Sequence, residues 1–90
     1  MIEVRHSAGD EWVVSVKAAT TTHHRVHVSK ADLARLAKGR TAEDLLRESF
    51  RFLLERESNT SILSSFDLPV IARYFPEFDR EIEKRLQTTT

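Results

Sequence analysis

The feature that most restricts the fold of this chain is an alternation of apolar and polar residues, with a period of two, over its first 28 positions. Strands with one buried and one solvated face have this period, because successive side chains point to opposite faces. The alternation covers residues 2–7, 12–18 and 23–28, and the turn-forming stretches AGD (8–10) and ATTT (19–22) separate these segments. The pattern predicts three antiparallel strands in a meander with one face in water.

Two amphipathic helices are predicted directly after the strands. Ser29 with Asp32, and Thr41 with Asp44, have the spacing of helix N-caps, and the glycine at position 39 suits the left-handed residue that ends the first helix. The second helix is expected to end at about Glu57. Its apolar residues cover an arc of about 200°, which is wide enough to contact the sheet on one flank and the C-terminal segment on the other.

The C-terminal third has a helical period that a proline interrupts. Residues 62–66 indicate a short helical turn, and Asp67 suits the N-cap of the helix that follows. Apolar residues then recur at helical spacing from Ile71 to Leu86, straight through Pro76. Because proline inside a helix removes a hydrogen bond and clashes with the preceding turn, we predict a break at Phe75.

These patterns together predict an α+β fold, with an N-terminal three-stranded antiparallel meander covered on one face by three or four helices. Residues 1–87 are expected to form a single domain, and residues 88–90 a disordered tail. A chain of this length buries only about 60 to 65% of its unfolded surface, so its core is small. A homo-oligomer would extend that core, but the sequence leaves the oligomeric state open.

The composition argues against several classes of partner. Lys and Arg total 14 and Asp and Glu total 14, so no overall field attracts this chain to polyanions. Cysteine is absent, which removes disulfides and thiolate metal sites, and no apolar run is long enough to span a membrane. We expect a cytoplasmic protein that has no membrane partner.

The sequence predicts no enzyme, cofactor or metal site. Glycine occurs only at positions 9 and 39, so neither a phosphate-binding loop nor a nucleophile elbow can form. His23 and His27 are four positions apart on a predicted strand and therefore about 13 Å apart, whereas two nitrogens on one zinc ion are no more than roughly 4 Å apart. His24 points to the opposite face.

Four of the seven aromatic residues lie close together in the C-terminal third of the chain. If they are exposed, they form a protein-binding patch with a tyrosine as an amphipathic anchor. If they pack against the second helix, they belong to the core. The sequence leaves this choice open for Phe66, Tyr74, Phe75 and Phe78.

Residues 25–57, RVHVSKADLARLAKGRTAEDLLRESFRFLLERE, resemble the ribbon-helix-helix family of bacterial repressors and antitoxins in their order of strand, capped helix, glycine and capped helix. Members of this family dimerise through the strand and bind DNA with its outward side chains. The resemblance implies that His23, Arg25 and His27 would face the bases. The backbone N–H groups near Thr41 would contact a phosphate.

The chain as a whole, especially FLLERESNTSILSSFDLPVIARYFPEF, also resembles small bacterial proteins without an assigned function. We therefore expect a small non-enzymatic bacterial module for binding or regulation that acts through protein–protein contacts. The alternative is a ribbon-helix-helix-like DNA-binding autoregulator of the antitoxin type. The sequence does not identify the partner.

Overall fold

The structure is a computed structural model that describes residues 1–88. Its strands are β1 (Ile2–Ala8), β2 (Glu11–Lys17), β3 (Thr21–His27) and β4 (Ser65–Asp67). Its α-helices are α1 (Lys30–Ala37), α2 (Ala42–Leu54), α3 (Val70–Tyr74) and α4 (Phe78–Thr88), and a 3-10 turn spans Asn59–Ser61. The predicted α+β class and the three-stranded antiparallel meander are confirmed.

The meander separates a buried face from an exposed face, as the alternation predicted. Val14 pairs with Val4 on one side and with His24 on the other, so these three residues share one face of the sheet. Val14 and His24 are buried there under the helices. The core behind this face consists mainly of branched aliphatic residues and the rings of Phe50, Phe52 and Phe78.

The first two helices begin at the predicted caps. The Ser29 hydroxyl accepts a hydrogen bond from the Asp32 amide at 3.1 Å, and the Thr41 hydroxyl accepts one from the Asp44 amide at 3.0 Å. Helix α1 ends at Ala37, and its C-cap is Lys38, with a left-handed φ of 51°, rather than the predicted Gly39, whose φ of 89° is also positive. Helix α2 ends at Leu54, three residues before the predicted end. The capping residues therefore located the helix starts more accurately than the apolar pattern located the ends.

A short fourth strand, β4, was not predicted. Residues 62–66 do not form the expected helical turn, since Ser65–Asp67 pair with Arg25–His27 in parallel. The Arg25 amide donates to the Ser64 carbonyl at 2.8 Å, and the Leu68 amide donates to the His27 carbonyl at 3.0 Å. This pairing joins segments that are about forty positions apart and closes the outer edge of β3.

The C-terminal segment divides into two helices at the position that Pro76 predicted. Helix α3 ends at Tyr74 and α4 begins at Phe78, so the break at Phe75 is confirmed. The N-cap of α3 is Pro69 rather than the predicted Asp67. The α4 helix continues to Thr88, and the rest of the predicted disordered tail, residues 89–90, lies outside the described residues. None of the helices described in residues 1–88 is long and apolar enough to cross a membrane.

Candidate functional site: an apolar groove beside β4

The four aromatic residues of the predicted cluster occupy different environments. Phe78 is 0% exposed, and its ring packs at a steep angle to that of Phe52, with the ring centroids 5.3 Å apart. Phe75 and Phe66 are half-buried. Tyr74 is 66% exposed. Phe78 therefore belongs to the core, whereas the other three remain accessible to different degrees.

The three accessible aromatic residues line a groove between the end of α2, the segment before β4, and α3. We call it the apolar groove. Its volume is about 180 Å³, below the roughly 300–1,000 Å³ of small-molecule sites. The groove therefore suits a protruding side chain better than a cofactor. Its main apolar lining consists of Leu53, Ile62, Leu63, Phe66, Tyr74 and Phe75.

The rim of the apolar groove exposes two large hydrophobic side chains. Leu63 is 47% exposed and Tyr74 is 66% exposed. Among the described residues, the third exposed large hydrophobic residue is Met1, which lies beside the opposite edge of the sheet. A single exposed apolar side chain is ordinary, but two beside one concave surface form a contiguous patch of the kind that partner proteins cover.

A chain of partly buried hydrogen bonds fixes the rim of the groove to the sheet. His24 is 2% exposed, and its Nδ1 lies 2.7 Å from the Leu63 carbonyl oxygen. Because a carbonyl only accepts, Nδ1 donates, and Nε2 shares a hydrogen bond of 2.8 Å with the Thr22 hydroxyl. That hydroxyl in turn accepts from Asn59 Nδ2 at 3.0 Å, and Asn59 Nδ2 also donates to the Thr20 carbonyl at 2.7 Å.

This network gives His24 a positioning role. Residues 58–64 contain little regular structure, since only Asn59–Ser61 form a 3-10 turn. The bond from His24 to Leu63 and the bonds from Asn59 to Thr22 and Thr20 hold both ends of this segment. The exposed Leu63 side chain is therefore presented by a backbone that the core of the sheet anchors.

One carboxylate lies on the apolar groove. Glu57 is half-buried in the groove wall, and its carboxylate has no ion-pair or hydrogen-bond partner among residues 1–88. Arg56, the preceding residue, instead donates to Glu77 at 3.2 Å. The groove therefore combines an apolar floor with one uncompensated negative charge, which favours a cationic group on whatever binds there.

Three of the residues that the ribbon-helix-helix resemblance singled out, His23, Arg25 and His27, lie on the sheet face opposite the helices. His23 shares a hydrogen bond of 2.9 Å with the Ser15 hydroxyl, and His27 contacts Glu11 at 3.1 Å. Arg25 is exposed between them. These side chains are therefore on the solvated face that the alternation predicted.

The structure separates these strand residues from the fourth predicted DNA contact, Thr41. Thr41 caps α2, which packs against the buried face, where Phe50 contacts His24 with ring centroids 5.3 Å apart. The outer edge of β3 pairs with β4 across Arg25–His27. Its other edge pairs with β2, so β2 or β4 would have to leave before two copies could pair through β3 as ribbon-helix-helix dimers do.

Metal-ligating side chains do not converge in the part of the chain that the structure describes. No group of three histidine or carboxylate residues within residues 1–88 is placed to hold an ion. His23 bonds Ser15, His24 bonds Leu63 and His27 bonds Glu11, so the histidines of β3 have separate partners.

The sequence pattern groups three residues of the aromatic wall, Phe66, Tyr74 and Phe75, without deciding whether they are exposed, and it does not indicate the other side of the apolar groove. Leu63 was assigned to a helical turn, and the signal for the strand that follows is the short alternation of Ser65, Phe66, Asp67 and Leu68. Such a short alternation does not distinguish a strand from a turn, because its burial depends on a partner strand far away in the sequence.

Comparison with family models, with curated proteins and with solved structures finds no match for this chain.

Proposed function

We propose that this protein is a small non-enzymatic module for binding or regulation that acts through protein–protein contacts at the apolar groove. The observation that carries the proposal is the exposure of Leu63 and Tyr74 on the rim of one concave apolar surface. Tyrosine is enriched among the residues that dominate binding energy at interfaces, because it combines a large apolar ring with a polar end.

The chemistry of the groove indicates what its partner presents. The apolar floor and the small volume suit one large apolar side chain. The unpaired carboxylate of Glu57 favours a lysine or arginine beside that side chain, by charge complementarity. We therefore propose that the occupant is a segment of another protein with an apolar anchor next to a basic residue. Resemblance to small bacterial proteins supports placing this interaction in the bacterial cytoplasm.

Selection from a phage-displayed library of random peptides tests this proposal. We expect the selected peptides to share an apolar anchor followed or preceded by a basic residue. Tyr74→Ala should weaken their binding about thirtyfold or more, since truncating a hot-spot residue costs about 2 kcal/mol or more. Glu57→Lys should change the preferred charge from basic to acidic. Val13→Ser, which removes a half-buried apolar side chain outside the groove, is the control and should bind normally.

Two results would contradict the proposal. Peptides that bind Tyr74→Ala as tightly as the unmodified protein would place the contact elsewhere. Binding to duplex DNA that weakens steeply with salt and is abolished by Arg25→Ala would favour the ribbon-helix-helix alternative instead, because counterion release scales with the number of phosphates neutralised.

A further inference from the structure

Strand β1 forms one edge of the sheet, and no segment of residues 1–88 pairs with its outer side. Met1 and Lys17 donate to each other's backbone carbonyls, at 2.9 and 2.8 Å, so they form a hydrogen-bonded pair in the ladder between β1 and β2. Bonded pairs alternate along an antiparallel ladder. The backbone N–H and C=O groups of Ile2, Val4 and His6 therefore point outward, where another strand can bond to them.

We propose that the protein forms a homodimer in which two β1 edges pair antiparallel about a two-fold axis at Val4. In this register Val4 faces Val4 of the second copy, Ile2 faces His6, and Glu3 faces Arg5. Glu3 and Arg5 are both exposed and have opposite charges. The two-fold axis repeats this contact, so the dimer gains two cross-strand ion pairs along with its backbone hydrogen bonds.

Charge selects this register over its neighbours. An axis at Glu3 or at Arg5 would place that residue opposite its own copy, and directly opposed like charges destabilise a strand pair. The regular part of β1 is also long enough for this register, which uses residues 2–6. The pairing of β1 with β2 stays regular as far as His6 and shifts only between His6 and Ala8. Regular strand geometry thus ends beside His6, which is the last residue that the proposed register uses.

One side chain of the protein itself contacts the edge. Arg47 Nη1 donates to the Ile2 carbonyl at 2.8 Å. A carbonyl oxygen has two lone pairs, so this contact leaves one acceptor position for the amide of the second copy. Arg47 also pairs with Glu43 at 3.1 Å, which holds its guanidinium on α2.

The proposed dimer leaves the apolar groove free. The strand order is β1-β2-β3-β4, and the groove is lined by Phe66 of β4, at the edge opposite β1. Pairing through β1 produces a continuous eight-stranded sheet, twice the four strands of one copy, with one groove at each outer edge. Such a dimer displays two identical grooves, so it can bind a partner with two anchors more tightly than a single groove can.

Sedimentation equilibrium of charge variants tests the register. We expect the unmodified protein to dimerise at micromolar concentrations and Arg5→Glu to raise the dimer Kd about tenfold or more, because it opposes two glutamates at both contacts. Lys17 donates to Glu3 at 3.0 Å within one copy. The variant E3R/R5E/K17E exchanges the charges of all three residues, so it keeps this ion pair and the cross-strand pairs with their signs reversed. It should therefore dimerise like the unmodified protein. Arg80→Glu changes an exposed arginine on α4 and is the matched control.

Val4→Pro tests the edge independently of charge. It removes an N–H group that points away from β2, so the monomer should keep its circular dichroism spectrum while the dimer is lost. A protein that stays monomeric at high micromolar concentration would overturn the proposal. So would a dimer that survives both Arg5→Glu and Val4→Pro, or one that Tyr74→Ala dissociates, because the interface would then lie elsewhere. If Val4→Pro unfolds, the charge variants decide the question.

Discussion

Adjacent histidines on β3 illustrate how position within a strand determines the role of a residue. His23 is exposed and shares a hydrogen bond with the Ser15 hydroxyl, whereas His24 is buried and bonds the Leu63 carbonyl. The difference follows from the period of two, which the sequence alone revealed. The partners of His24 were not predictable, because Leu63 is 39 positions away and reaches β3 only through the fold.

Replacement of His24 should destabilise the protein far more than the same change at its neighbour. We expect His24→Leu to lower the free energy of unfolding by about 1–3 kcal/mol, because it leaves the Leu63 carbonyl without a donor. Arg25→Leu, at the exposed neighbour on the other side of His24, should change that free energy by no more than about 0.5 kcal/mol, as is usual for exposed positions. Urea unfolding of the two variants measures both values. Equal losses would contradict the anchoring role assigned to His24.

Helix α4 forms ion pairs with its neighbours near both of its ends. Arg35 of α1 contacts Asp79 at 2.7 Å, and Arg85 contacts Glu55, the residue after α2, at 2.7 Å. The hydrogen bond from Arg85 is the main reason that the pKa of Glu55 lies below its ordinary value. The buried residues of α4, which include Phe78 and Ile82, supply the apolar contacts between these charged ends.

This arrangement predicts a pH-dependent contribution from Glu55. Because its pKa is lower in the folded protein than in the unfolded chain, the carboxylate stabilises the fold above the unfolded-state pKa, and that stability is lost as the pH falls through the folded-state value. We expect Glu55→Gln to lower the Tm by a few degrees at most near neutral pH, since exposed pairs contribute little. The difference from the unmodified protein should vanish in acid.

Thermal unfolding across the acidic range provides the measurement for Glu55→Gln. Glu57→Gln is the matched control, because the Glu57 carboxylate has no ion-pair partner among residues 1–88. Its Tm should follow that of the unmodified protein at every pH. A difference between Glu55→Gln and the unmodified protein that persists unchanged at low pH would contradict the assignment.

Elements differ in how much of them the sequence could predict. The starts of α1 and α2 depend on Ser29 and Thr41, whose hydroxyls bond amides three residues on, so the information is local. The break at Phe75 depends on Pro76 and is local as well. The strand β4 is different, because its three residues gain strand geometry from hydrogen bonds to β3 and not from their own propensity.

The whole molecule has two edges with different properties. The β1 edge carries outward backbone groups and the alternating charges of Glu3 and Arg5, whereas the β4 edge carries the apolar groove. The sequence predicted the layers of the fold and grouped Phe66, Tyr74 and Phe75, but it left open whether these rings are exposed or part of the core. It did not predict that Leu63 and Tyr74 would line the same groove, because that arrangement depends on the pairing of β4 with the distant strand β3. Phe78, the fourth aromatic residue of the predicted cluster, is buried in the core beside Phe52.

The central claim is that the apolar groove is the binding surface of this protein. Titration of the ¹⁵N-labelled protein with a peptide selected from the random library, followed by two-dimensional NMR, tests it most directly. We predict that the amide shifts cluster around Leu53, Ile62, Phe66 and Tyr74. Shifts confined to the exposed face of β3, around His23, Arg25 and His27, would contradict the claim.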